Sequence, residues 1–285
     1  NLQESIEKQF GPLSKDKDFK MAEELMYGKA AEDLAKLDKK VEEITKMMKD
    51  SGIDVTALSQ YLYALHAKER NAIIEQRTNG AIKDGSGMSD AEADAIINSA
   101  NKALLDPIVT KVREIQQDTR DTMVKYGLET KDTVDAFESM FSNYVPLAGV
   151  AVDEDLGSPY PTGGAGMNVF GSTTKKAQGR KSQAENILAQ IVAQNAGIHI
   201  KARTNEALTS LYNLIQDTPN PKVWRVLDAS QVQNPNDARV VAVRINGEQK
   251  FIFFKDPSYA ESLKGMNLPQ TNAFIRALRV PAQWL

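Results

Sequence analysis

The stretch Tyr61-Leu-Tyr-Ala-Leu-His-Ala-Lys-Glu-Arg-Asn71 sets a polar string inside a helix that also needs a buried face. On a helical wheel Val55, Leu58, Leu62, Leu65 and Ala72 share one stripe. Tyr63, His66 and Arg70 line an adjacent stripe at i, i+3 and i+7. A helix with two adhesive stripes needs two partners. The polar stripe of Tyr63, His66 and Arg70 is therefore expected to be structural, docking the segment from Tyr144 to Leu147 or the loop after it.

Upstream, Met21, Leu25, Ala31, Leu34, Leu37, Val41, Ile44 and Met48 recur at threes and fours, which predicts a long helix ended by Gly52. The charges between them pair at i, i+4 on a solvated face and require no ligand. Asp54 is placed to cap the second helix, which runs to about Arg77 before Asn79-Gly80 breaks it. Gly85-Ser86-Gly87 reads as a flexible joint, and Ser89-Asp-Ala-Glu92 as a capping box opening a third helix. Further helices are expected over roughly Lys102 to Tyr126 and Lys131 to Ser142. Joined by short loops, these make a helical bundle or hairpin array over 1–142.

The character changes at Asn143-Tyr-Val-Pro-Leu147. Residues 143–181 are rich in Gly and Pro, so no regular element persists, while Tyr144, Val145, Leu147, Tyr160, Met167, Val169 and Phe170 supply anchors for a packed, irregular loop. Residues 182–285 begin with a long, central helix to about Asp217, its apolar stripe interrupted by Gln194 and Asn195. β-type runs follow from Trp224, and Asn246-Gly247 between Val240–Ile245 and Gln249–Phe254 is the strongest short hairpin signal a sequence offers. Two short helices, at about Pro257 to Gly265 and Gln270 to Val280, close the chain. The expected fold is mainly α, with a long irregular loop and a small β-hairpin near the C-terminal end.

The composition narrows the chemistry. With 35 basic against 38 acidic residues, no bulk charge draws the chain to nucleic acid or an anionic membrane. Zero cysteines exclude disulfides and thiolate sites, and two histidines leave little for imidazole ligation. No metal and no cofactor is expected. His66 and His199 fit neither a zinc signature nor a catalytic triad and read as hydrogen-bonded structural residues. Gly163-Gly-Ala-Gly166 matches no phosphate-loop spacing, and acid pairs such as Asp153 with Asp155 have no pocket signature, so no catalytic residue is assigned. Lys175, Lys176, Arg180 and Lys181 cluster without acidic neighbours ahead of the long helix. They are the candidate contacts to DNA phosphates, with surface solubility as the plain alternative.

No window reaches the roughly 18 consecutive apolar residues of a membrane span, and no membrane contact is expected. The chain begins Asn1-Leu2-Gln3 and stops inside the apolar run Ala273–Leu285, so an internal piece of a longer protein is expected.

Tyr61-Leu-Tyr-Ala-Leu-His-Ala-Lys-Glu-Arg-Asn71, Gly85-Ser-Gly-Met-Ser-Asp-Ala-Glu-Ala93 and Asn143-Tyr-Val-Pro-Leu147, in that order, resemble motifs of very large phage proteins. These are the large polyvalent or internal virion (DNA-ejection) proteins of tailed bacteriophages. The resemblance covers most of the chain, including Gly179-Arg-Lys-Ser182 and the hairpin Val243-Arg-Ile-Asn-Gly-Glu248. It implies a virion-interior protein that leaves with the genome, reaches the host envelope (periplasm) or cytoplasm, and helps form a DNA passage. Partners would be other copies or other phage ejection proteins, and the double-stranded DNA backbone. No functional residue is carried over. The rival is a helical accessory domain of a phage-carried nucleic-acid enzyme, such as a virion-packaged polymerase or helicase.

Overall fold

The computed structural model describes residues 3, 7, 11–147, 167–170 and 186–266. The described part is mainly helical, with a small antiparallel sheet near its C-terminal end. Its helices are α1 (Phe19–Ser51), α2 (Val55–Arg77), α3 (Asp90–Ser99), α4 (Lys102–Lys125), α5 (Lys131–Met140), α6 (Ile187–Asp217) and α7 (Pro257–Lys264). The strands are β1 (Trp224–Asp228), β2 (Val240–Ile245) and β3 (Glu248–Phe254).

Helix ends sit where local chemistry satisfies the free backbone groups. Asp18 accepts from Met21 N at α1, Asp54 from Ala57 N at α2, and Thr130 from Thr133 N at α5. Ser89 and Glu92 close a reciprocal capping box at α3. Gly52, at φ +66°, ends α1 in the left-handed conformation.

Helix α6 is the axis. Twenty-two of its 31 residues are buried, on all sides, which a helix tolerates only when neighbours surround it. Its N-terminal half joins Leu34, Leu37, Val41 and Ile44 of α1, Leu58 and Leu62 of α2, and Ile108 and Ile115 of α4 in one apolar cluster. Its C-terminal half, through Leu208, Leu211 and Leu214, meets the sheet residues Trp224, Val241, Ile252 and Phe254 together with Met26 and Leu128. Each such Leu or Ile contributes about 1.5–3 kcal/mol by leaving water.

The sheet has the order β1-β3-β2, so the expected hairpin is joined by a third strand. Val241 pairs with Ile252 and Trp224 with Phe254, and these side chains face α6. The Asn246-Gly247 turn takes positive φ at both residues, +48° and +79°, the twist that closes a two-residue hairpin. Gly247 also donates to Gly127 O at 3.0 Å. An added Cβ there would stand 2.7 Å from Thr130 Cγ2, so the turn lies flat on the α4–α5 connection. Met167 and Val169 are buried, and Val169 N–H donates to Ala242 O at 2.8 Å.

Three expectations need correcting. In α1, Met21 and Leu25 are exposed, and so is Ala31; Met26, Ala30 and Asp33 are buried instead. An acid occupies the inward stripe because Arg203 of α6 meets it, which breaks the apolar periodicity. In α2, Ala72 is exposed while Ala64, Ala67, Asn71 and Ile74 face inward. Gly85-Ser86-Gly87 is not a flexible joint. Ser86 is fully buried, its N–H donates to Asn71 Oδ1 at 2.8 Å, and its hydroxyl donates to Met88 O at 2.9 Å. The helix expected at about Gln270 to Val280 lies outside the described residues. No helix among the described residues is long and apolar enough to cross a membrane.

Candidate functional site

The Tyr63, His66 and Arg70 stripe faces two different partners. Tyr63 donates its hydroxyl to Ser86 O at 2.8 Å, which fixes the α2–α3 turn. His66 is fully buried against the strap formed by residues 141–147, its ring centroid 5.4 Å from that of Phe141 and 5.6 Å from that of Tyr144. Neither ring nitrogen has a hydrogen-bond partner, and Nδ1 stands 3.8 Å from Glu69 Oε2, an ion-pair distance. Burial, opposed by the neighbouring Glu69 carboxylate and reinforced by the Arg70 charge, holds the His66 pKa below the ordinary imidazole value.

Glu69 fastens the strap. Its Oε2 accepts the Asn143 backbone N–H at 3.0 Å and its Oε1 accepts Asn143 Nδ2 at 2.8 Å. Burial raises the Glu69 pKa, but the His66 ring and these two donors more than offset it, leaving the carboxyl below its ordinary value. From α4, Arg113 donates to Asn143 Oδ1 and Gln116 to Tyr144 O. Phe137 stacks edge-on against Tyr144 at 4.8 Å. Arg113, Gln116, Gln117, Arg120, Ser142 and Tyr144 line an open polar groove of about 370 Å³ along this seam.

The second histidine ties three helices. His199 Nε2 lies 2.8 Å from Asp118 Oδ2 on α4, and Nδ1 lies 3.5 Å from Asp33 Oδ2 on α1. Arg203, one turn on, holds Asp33 through Nε at 2.7 Å and Nη2 at 3.2 Å, and holds Glu206 through Nη1 at 3.0 Å. Its guanidinium also covers the Tyr126 ring at 4.7 Å. Asn195, read in the sequence as an interruption, is fully buried and donates to Asp118 Oδ2, Thr119 Oγ1 and Ile115 O. The His199 contact, aided by Asn195 and Lys40, lowers the Asp118 pKa to about 2 against the effect of burial.

A third cluster joins α6 to the sheet. Asn205 accepts from Arg244 N and donates to Arg244 O and Tyr126 O. Arg244 itself pairs with Glu129 at 3.4 Å, both buried. Burial lowers the nearby Lys201 pKa to about 8, the Arg244 charge adding to it.

These arrangements cross-link helices. Both nitrogens of His199 face carboxylates, Nε2 at hydrogen-bond distance from Asp118 and Nδ1 at 3.5 Å from Asp33. No group of three or more His, Asp or Glu side chains suited to a metal ion occurs among the described residues. The basic quartet of Lys175, Lys176, Arg180 and Lys181 lies outside the described residues. The sequence places Glu69 beside His66 and Arg203 near His199 but gives neither these two nor Asp33 and Asp118 a role, because each looks like an ordinary solvated helix charge until its distant partner is known. Comparison with protein-family models, with curated proteins and with solved structures finds no match to this chain.

Proposed function

We propose that the chain is a structural segment of a phage internal virion protein, ejected with the genome and helping to form a DNA passage through the host envelope. The reading rests on the ordered motifs that resemble that family. One structural observation supports the structural half: His199 stands between Asp33 and Asp118, and His66 is buried beneath the 141–147 strap. A near-balanced charge suits a wall past which DNA must move, since a strongly basic lining would hold it. The Lys175, Lys176, Arg180 and Lys181 quartet supplies phosphate contacts in this reading, and other copies of the chain or other ejection proteins supply the rest of the wall.

The test is duplex binding by the purified chain across a salt series, with its sedimentation followed in parallel. Expected is sequence-indifferent binding, at roughly micromolar or weaker affinity at physiological salt, that falls steeply as salt rises. Alanine at all four basic positions should abolish it at low salt, and self-association should appear. Tight sequence-selective binding, or turnover of a nucleic acid, would replace this reading with the accessory domain of a phage-carried nucleic-acid enzyme.

A further inference from the structure

Glu69 serves two claimants. Its Oε2 holds the Asn143 backbone N–H at 3.0 Å while standing 3.8 Å from His66 Nδ1. As long as the imidazole is neutral it has little call on that oxygen, and the strap takes it. We propose that protonation of His66 moves Glu69 from the strap to the imidazolium and opens residues 141–147, making this strap an acid-responsive latch.

Two effects act in the same direction. A charged ring sealed between Phe141 and Tyr144 lacks the hydrogen bonds it requires, and a buried cation without them is costly. Lifting the strap admits water to it. Glu69, freed from Asn143, then takes the imidazolium proton in a charge-assisted bond. The other groups at the site modulate this exchange. Arg70, on the same helix, opposes the second positive charge. Tyr144, from the strap, stays neutral because burial raises its phenol pKa, against the smaller opposing effect of Gln194 of α6. From α4, Arg113 keeps its own bond to Asn143, and Arg120, paired with Glu138 of α5, borders the same groove.

The sign follows from the lowered His66 pKa. The closed strap binds the His66 proton more weakly than the open strap does. Closure is therefore fully favoured above the ordinary imidazole value and weakens as pH falls below it. One proton limits the effect to about tenfold per pH unit.

Hydrogen–deuterium exchange of the intact chain, corrected for the intrinsic pH dependence of amide exchange, reads this directly. Between pH 7 and pH 5 the peptide covering 141–147 should open up to about 25-fold more often, since the gain begins only near the ordinary imidazole value of 6.5, while peptides from the middle of α6 keep their protection. In His66→Phe, which keeps an aromatic ring and removes the proton, the strap should show no such rise. If that variant does not fold, an NMR titration of the unaltered chain decides instead: the His66 ring and the Asn143 amide must titrate with one midpoint. Strap protection that is flat with pH, a rise shared equally by α6, persistence of the rise in His66→Phe, or separate midpoints would each overturn the latch. None of these outcomes bears on duplex binding.

Discussion

Arg203 of α6 grips Asp33 of α1 through two guanidinium nitrogens, at 2.7 and 3.2 Å, across 170 residues of sequence. Both side chains are nearly withdrawn from water, at 13% and 8% exposure. A pair of this kind adds little net stability over an apolar substitute, yet removing one member leaves the other uncompensated. Burial depresses the Arg203 pKa, but Asp33 and Glu206 more than offset it, so the guanidinium stays charged throughout the working range.

Arg203→Ala is therefore expected to destabilise the fold by about 3–5 kcal/mol, seen as a lower urea midpoint with an unchanged slope. Exchanging both members for well-packed apolar residues, Asp33→Leu with Arg203→Met, should recover most of the loss. Additive losses in that double variant would show that the two side chains act independently.

Acid titration should expose Asp118. Its folded pKa, about 2, lies below the ordinary carboxyl value. Its contribution is therefore present above that ordinary value and disappears as pH falls toward 2. Chemical unfolding of the parent and of Asp118→Asn should differ most near neutrality and converge toward pH 2. The site is partly open to solvent, so added salt should narrow the gap as well.

Gly85 is a packing glycine. A Cβ at this position would fall 2.4 Å from Ile74 Cγ2 and 2.7 Å from Ile74 Cβ, atoms close to the helix that cannot swing away. Gly85→Ala should cost about 1–3 kcal/mol by overpacking. Combining it with Ile74→Ala should cost less than the sum of the two single changes, as thermal melts of all four proteins can establish.

Asn205→Leu removes a clamp that satisfies the amide and carbonyl of Arg244 and the carbonyl of Tyr126 at once. Orphaning buried backbone groups costs about 1–3 kcal/mol each. The variant should lose several kcal/mol, and amide exchange should rise first at β2. Protection of β2 equal to that of the parent chain would show that water takes over these bonds.

The local parts of this fold were legible in the sequence. Asp54, the Ser89 and Glu92 box, Gly52 and the Asn246-Gly247 turn are each read from a few neighbouring residues, because capping and turn chemistry act within one turn of chain. What escaped depends on distant residues. Asp33 turns inward because Arg203, far along the chain, meets it, and no local spacing through Met21 and Leu25 foretells that. Gly85-Ser86-Gly87 looked loose for a similar reason, since the group that fixes it, Asn71, belongs to the preceding helix. At the candidate site the His66 stripe could be seen, but nothing local reveals that Glu69 is shared between His66 and Asn143.

The late position of α6 has a consequence for synthesis. The apolar faces of α1, α2 and α4 close around a helix whose last residue, Asp217, lies 77 residues beyond the end of α5. At translation rates of about 5–20 residues per second, that is a delay of roughly 4–15 s. Until the N-terminal half of α6 emerges within that interval, Leu34, Leu37 and Val41 have no α6 to cover them, so the growing chain offers holdase chaperones an apolar seam that the finished protein never shows.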